Sequence, residues 1–290
     1  MDSLCTLKTL LQEARKKQYA VPGFDCVADI YIRAILDAAQ AEQSPVILMA
    51  LGHDLQGRGM HYIAGLVHAV VPHYDIPIAL HLDHATDLDL IRRSIDNGFS
   101  SVMFDGSMLS YEENLACTQE VVDLARPNGV SVEAELGCVA GTRITGEDIG
   151  ENRLTHPEEV VHFAQATKVD ALAVSIGTQH GVYASRPELD IERLQAINAL
   201  SPIPLVLHGG SGTPKDQVQQ AIRSGITKLN VYADTRLAMN AALTQSVSIV
   251  ESRADALSDR VFGPLREAIA RLVREKIQVT MSSGHATMIS

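Results

Sequence analysis

The stretch HLDHATD, residues 81–87, places His81, Asp83 and His84 directly after the apolar run IPIAL, residues 76–80. An imidazole beside a carboxylate at the end of a buried strand has two readings. One is a strand cap or a packed core residue. The other is a metal ligand next to a general acid/base, because a carboxylate within hydrogen-bond reach can take and return a proton. Similar polar endings recur along the chain. Asp105 stands in DGS, Glu133 and Glu135 in EAELG, His180 in IGTQHG, His208 in LHGGSG and Asn230 in KLNV, each at or just past an apolar run. Core histidines placed at random would not concentrate at strand ends, so the chemical reading gains. His84, His180 and His208 are three neutral nitrogen donors, the number of protein ligands that a catalytic zinc keeps while leaving one position open. His81 reads as structural or supporting. Asp105 and Glu135 could orient the imidazoles or hold metal in an alternate position. His53, His61, His68, His73, His156 and His162 read as surface or packing residues, and His285 as a solvated tail residue.

These residues need a scaffold that brings strand ends together. Eight apolar runs, at 19–24, 44–51, 77–82, 101–105, 130–135, 171–176, 204–209 and 226–231, mostly alternate with segments of helical periodicity. Buried strands separated by helices imply a parallel sheet covered by helices, and eight of them close a (β/α)8 TIM barrel, with chemistry at the C-terminal ends of the strands. The fold class is therefore α/β. An open doubly wound sheet is the alternative, and eight strands with no second domain favour closure. Residues 1–290 read as one domain. Within it, the Gly-rich, polar segment 138–155 is too long for an ordinary connection and reads as an active-site loop. Residues 244–290 read as a C-terminal helical extension and tail. The GGS at 209–211 sits between a strand and a helix begun at Thr213-Pro214. Its backbone N–H groups suit a phosphate, and with Asn230 at the next strand end they form a phosphate corner.

Composition narrows the partners. The formal net charge is -11 and no basic stripe is present, which argues against a nucleic-acid surface. No apolar run reaches the length of a membrane span. The start, MDSLCTLKTLLQEARKK, reads as an amphipathic helix and not a signal peptide. Cys5, Cys26, Cys117 and Cys138 are scattered, the pattern of reduced thiols in a cytoplasmic protein. The C-terminal helix could pack on a neighbouring subunit, so a homo-oligomer, a dimer or a tetramer, is expected.

Taken together, HLDHATD, DGS, VEAELG, AVSIGTQHGVYASRPELD, LVLHGGSG and KLNV resemble the class II, zinc-dependent ketose-bisphosphate aldolases, nearest to the tagatose-bisphosphate type. The resemblance implies reversible aldol cleavage of a ketose (bis)phosphate, tagatose- or fructose-bisphosphate-like, to dihydroxyacetone phosphate and an aldehyde. It implies one Zn2+ per subunit on His84, His180 and His208, with Asp83 as the acid/base. It implies a phosphate site at Gly181, Gly209, Gly210, Ser211, Asn230, Val231, Tyr232 and Ala233, with a monovalent cation such as Na+ or K+ nearby. The partner is then a small-molecule sugar phosphate, not nucleic acid or membrane. Several positions depart from the family pattern. Asp25 stands in place of an Asn and Leu51 in place of a Ser or Thr, while Tyr232 and Ala233 replace residues that help to hold phosphate. In the loop, AGTRITGED carries Arg143 near where the family has a proton-exchanging Glu; Glu147 is the candidate replacement, with Asp148 second. Asp25, Leu51 and Arg143 are therefore candidate selectivity residues, and the natural ketose is expected to be neither fructose nor tagatose bisphosphate. Two other readings use the same fold: a metal-dependent hydrolase whose three histidines activate water, and a non-catalytic sugar-phosphate-binding barrel.

Overall fold

The computed structural model describes residues 4–142, 148–149, 152–181, 186–247 and 257–286. Each of the eight apolar runs carries a strand: β1 Val21–Asp25, β2 Val46–Leu51, β3 Ile78–Ala85, β4 Ser101–Phe104, β5 Ser131–Leu136, β6 Ala171–Val174, β7 Leu205–Leu207 and β8 Ile226–Val231. They pair in parallel, each with its sequence neighbours, and β8 returns to β1 through Phe24 opposite Val231, so the barrel closes. Helices α1 Leu7–Lys17, α2 Asp29–Ala41, α3 Gly59–Val70, α4 Leu88–Asp96, α5 Tyr111–Ala125, α6 Pro157–Thr167, α7 Ile191–Leu200, α8 Lys215–Arg223, α9 Ala233–Val247 and α10 Gly263–Val279 accompany them.

The period-2 alternation of each strand separates two cores. Phe24, Leu48, Leu80, Val102, Ala134, Leu172, Leu207 and Leu229 belong to the core shared with the helices. Val21, Ile47, Met49, Ala79, Ala171, Ala173 and Val206 fill the lumen, where Leu7, Leu10, Leu11 and Ala14 of α1 pack with them as a plug. The upper lumen is different. His81, Asp83, Glu133, Glu135, His208, Lys228 and Asn230 are all buried there. Isolated charges in such a place cost several kcal/mol each, so a strand end of this composition needs partners.

Segment 138–155 is anchored at both ends. Ala140–Thr142 pairs in parallel with Gln179–His180 and antiparallel with Asp148–Ile149, and Cys138 bridges to Arg153. Arg143 and Glu147 lie outside the described residues. At the C-terminus, α10 packs on α2 and α9. The chain then returns to the α2–β2 turn, where Gly284 N–H donates to Glu42 O at 3.0 Å and Ala286 N–H to Gln43 O at 2.8 Å. His285 is not a solvated residue as its tail position had implied: its ring stacks on Tyr19 with centroids 4.3 Å apart. No described helix is long and apolar enough to cross a membrane.

Candidate active site

Strict alternation on β3 would send His81 and Asp83 into the lumen and His84 out toward the helices. The ladder breaks between Leu82 and Ala85: Leu82 pairs with Val102 and Ala85 with Phe104, so β3 carries one residue more than β4 over the same length. This is a β-bulge, a device that re-aims a side chain. His84 absorbs it with a positive φ of 46°, a left-handed conformation that is uncommon for a residue other than glycine. The bulge turns His84 back over the barrel mouth beside Asp83.

There it meets the other two predicted imidazoles. Ring centroids lie 4.5 Å apart for His84 and His208, 5.0 Å for His84 and His180, and 6.0 Å for His180 and His208. Each ring offers a nitrogen within 4.8 Å of one from each of the others, spacing at which one metal ion could be held. Carboxylates fix two of the rings. His84 Nδ1 donates to Asp105 Oδ2 at 2.9 Å, which leaves Nε2 for a ligand. His208 Nε2 donates to Glu133 Oε1 at 2.9 Å, and its Nδ1 is buried with no hydrogen bond among the described residues. Such pairs set the tautomer and raise the basicity of the ligating nitrogen. Burial, with His84 and His208 alongside, pushes His180 well below the ordinary histidine range, so it stays neutral. Burial also works to lower His84, but Asp83 and Asp105 raise it to about 9, a sign of the negative potential at this point. Orphaned Nδ1, oriented rings and negative potential together fit a divalent cation.

Below the mouth runs a buried polar ladder that joins His81 and Asp83 to Glu133 and Lys228. Lys228 Nζ donates to Glu133 Oε2 at 2.7 Å and lies 3.4 Å from His81 Nε2. His81 Nδ1 is 2.7 Å from Ser101 Oγ, and His81 Nε2 is 3.6 Å from Asp83 Oδ1. Burial works to raise the Glu133 carboxyl, but Lys228 and the His208 hydrogen bond bring it down to about 2. Lys228 supplies the positive charge within the His81, Asp83 and Glu133 group. The second carboxylate of β5, Glu135, lies 3.5 Å from His208 Nδ1, on the side where a metal would sit. Asp83 itself is held by Asn230, whose Nδ2 donates to Oδ1 at 3.0 Å and to Oδ2 at 3.2 Å. Burial opposes its charge, but His84, His81 and Lys228 keep its carboxyl well below the usual range. Asp83 is thus an ionised carboxylate beside the three imidazoles.

A family model described as fructose-bisphosphate aldolase class-II matches residues 5–285. This chain belongs to that family. It is 39% identical to a Giardia intestinalis protein named fructose-bisphosphate aldolase, over 98% of this chain and 94% of that one. It is 39% identical to a Bacillus subtilis protein named 6-phospho-5-dehydro-2-deoxy-D-gluconate aldolase, over 97% of each. Among solved structures, the YdjI aldolase from Escherichia coli K12 superposes with a TM-score of 0.86 at 28% identity, covering 98% of this chain and all of that one.

Within this aldolase barrel, the corner expected to bind phosphate is drawn together from both sides. Gly210 N–H donates to Asn230 O at 3.1 Å, and Ser211 Oγ accepts from Tyr232 N–H and Asp234 N–H, each at 3.2 Å. Gly209 has φ 70°, and a Cβ there would meet Gln179 O at 2.4 Å, so only glycine lets the β7 turn lie against the strand that carries His180. Gly181 is left-handed too, at φ 90°. Asp234 would repel an anion, but Lys276 pairs with it at 2.5 Å. The expected residues do not all point one way. Asn230 is spent on Asp83, and the Val231 side chain lies in the helix-facing core. Ala233 opens α9, so its side chain brings no polar group to the corner. Leu51 pairs in register with Asp83 at the mouth, and Asp25 is wholly buried at the end of β1.

Glu133 and Lys228 were legible in principle. A lysine inside the apolar run ITKLNV, two residues before Asn230, shares its lumen face, and Glu133 stands in the same relation to Glu135.

Proposed function

We propose that the chain catalyses reversible, zinc-dependent aldol cleavage of a ketose phosphate to dihydroxyacetone phosphate and an aldehyde. The observation that carries this reading is the convergence of His84, His180 and His208 with Asp83 held next to them by Asn230. His84, His180 and His208 would hold the divalent ion, which when bound supplies Lewis acidity for the negative charge that develops beside the substrate carbonyl. Asp105 and Glu133 keep two of the imidazoles in the ligating tautomer. In the cleavage direction, Asp83 takes the proton from the hydroxyl on the carbon that becomes the aldehyde. Asn230 fixes the carboxylate for that transfer, and in the synthetic direction Asp83 returns the proton. The turns at 209–211 and 230–233 would bind the phosphate of the triose half, with a monovalent cation near it. The same reading takes residues 1–290 as one (β/α)8 domain in a cytoplasmic homo-oligomer.

The test is direct. Protein stripped with a chelator and reloaded with zinc should release triose phosphate from one or more of a panel of ketose phosphates, and the chelated protein should not. Zinc binding without release from any member of the panel would overturn the catalytic reading.

A further inference from the structure

The cluster on the β1–β2 side of the mouth carries chemistry that the cleavage step does not use. Asp25 pairs in register with Met49, and Met49 with His81, both of which face the lumen. Its Oδ2 accepts from Arg236 Nε at 2.9 Å and pairs with Nη2 at 2.7 Å. The Asp25 Oδ1 is buried and has no hydrogen-bond partner among the described residues, and the same holds for Asp54 Oδ2 and for Arg236 Nη2, which meets Asp25 Oδ2 as an ion pair only. Asp54 Oδ1 lies 3.9 Å from the same guanidinium. The Arg236 guanidinium also stands over the Tyr232 ring, 4.9 Å from its centroid. One cation thus faces two carboxylates. The cluster is neutral to negative, and its unpaired acceptors are buried beside the guanidinium.

Its position decides which part of a substrate it meets. The imidazoles lie on β3 and just past β6 and β7, and the phosphate corner lies at β7 and β8. Asp83 serves the carbon that becomes the aldehyde, and it pairs in register with Leu51 of β2, the strand next to β1. The remainder of the aldehyde half therefore extends toward Asp25 and Arg236.

Resting on the aldolase reading, we propose that this subsite selects an uncharged, hydroxylated aldehyde: Asp25 cancels Arg236 as an anion receptor and accepts a hydrogen bond from a substrate hydroxyl. Arginine is the usual partner of a phosphate because its planar fork binds two oxygens at once. Here its Nε and Nη2 both face one oxygen of Asp25, and a phosphate would also meet the charge of Asp54. Like charges set against the wrong ligand give specificity as much as attraction to the right one does. Burial raises the Asp25 carboxyl to about 7 against the pull of Arg236. A hydroxyl donor would relieve that under-solvated charge.

The experiment runs the zinc-loaded full chain in the synthetic direction, with dihydroxyacetone phosphate and either D-glyceraldehyde or D-glyceraldehyde 3-phosphate as acceptor. The wild-type protein should favour the uncharged aldehyde in kcat/KM by about tenfold or more. Asp25→Asn, nearly isosteric, frees Arg236 and should move the ratio toward the phosphorylated aldehyde by roughly 10- to 100-fold, and adding Arg236→Gln should cancel that shift. A wild-type preference for the phosphorylated acceptor overturns the proposal. So does an Asp25→Asn variant of unchanged melting temperature in which both substrates fall equally. An Asp25→Asn variant with a lowered melting temperature is replaced by Arg236→Gln alone, which must leave the wild-type preference for the uncharged aldehyde in place. No product from wild type with either acceptor would instead defeat the aldolase reading, and this inference with it.

Discussion

At the scale of single residues, the proposed reaction divides the site into groups that would touch the substrate and groups that hold them. Asp83→Ala should retain its metal, measured by elemental analysis, because Asp83 is not among the three converging imidazoles. Cleavage should fall by about 10²- to 10⁴-fold, the usual worth of a positioned proton acceptor; near-normal turnover would refute its role. Lys228→Met acts differently. It leaves Glu133 buried without its ammonium partner and removes a neighbour of His81. Breaking a buried pair from one side costs about 3–5 kcal/mol, so its urea midpoint should fall clearly, and an unchanged midpoint would mean that Glu133 is satisfied by His208 alone. The difference between these two residues is also the difference in what the sequence revealed. Asp83 was readable because it lies beside histidines at the end of an apolar run. Lys228 and Glu133 sit one layer deeper, inside their strands: alternation gives their face, but their pairing with each other across the lumen has no signal in either run.

At the scale of elements, all eight strands could be read from apolar runs, because a parallel sheet buried on both faces needs nearly continuous aliphatic sequence. The bulge in β3 could not. HLDHATD contains no glycine to announce it, and the left-handed turn falls on His84 itself. Alternation alone would have aimed this histidine at the helices. The opposite case is Gly209, where a glycine is visible in LHGGSG but its reason is tertiary: the carbonyl of Gln179 occupies the place of a side chain. Gly209→Ala should therefore cost about 1–3 kcal/mol through strain and displacement. Because Gln179 adjoins His180, it should also weaken metal retention on dialysis. Loss of stability with full metal retention would show that the β7 turn and the His180 strand move independently.

At the scale of the whole molecule, the barrel combines a lower lumen that is apolar and closed by α1 with a mouth that is rich in acid. Asp83, Asp105, Glu133 and Glu135 are buried around the imidazoles, and among the described residues of that ladder Lys228 supplies the one ammonium. A divalent cation bound at His84, His180 and His208 relieves this imbalance in the folded state, where the ligands converge, and has no such site in the unfolded chain. Mass action then sets the effect: at free metal about 1,000-fold above the dissociation constant, binding adds about 4 kcal/mol to the stability. The lower lumen and the helix-facing core do not depend on the metal, so the chelated protein should keep its far-ultraviolet circular dichroism while its melting temperature drops by several degrees. Adding zinc should restore the wild-type midpoint in a concentration-dependent way. His208→Ala removes a ligand and should melt at the same temperature with or without zinc. If chelation leaves the wild-type midpoint unmoved, the three rings do not share a cation, and the acidic mouth must be stabilised by proton uptake instead.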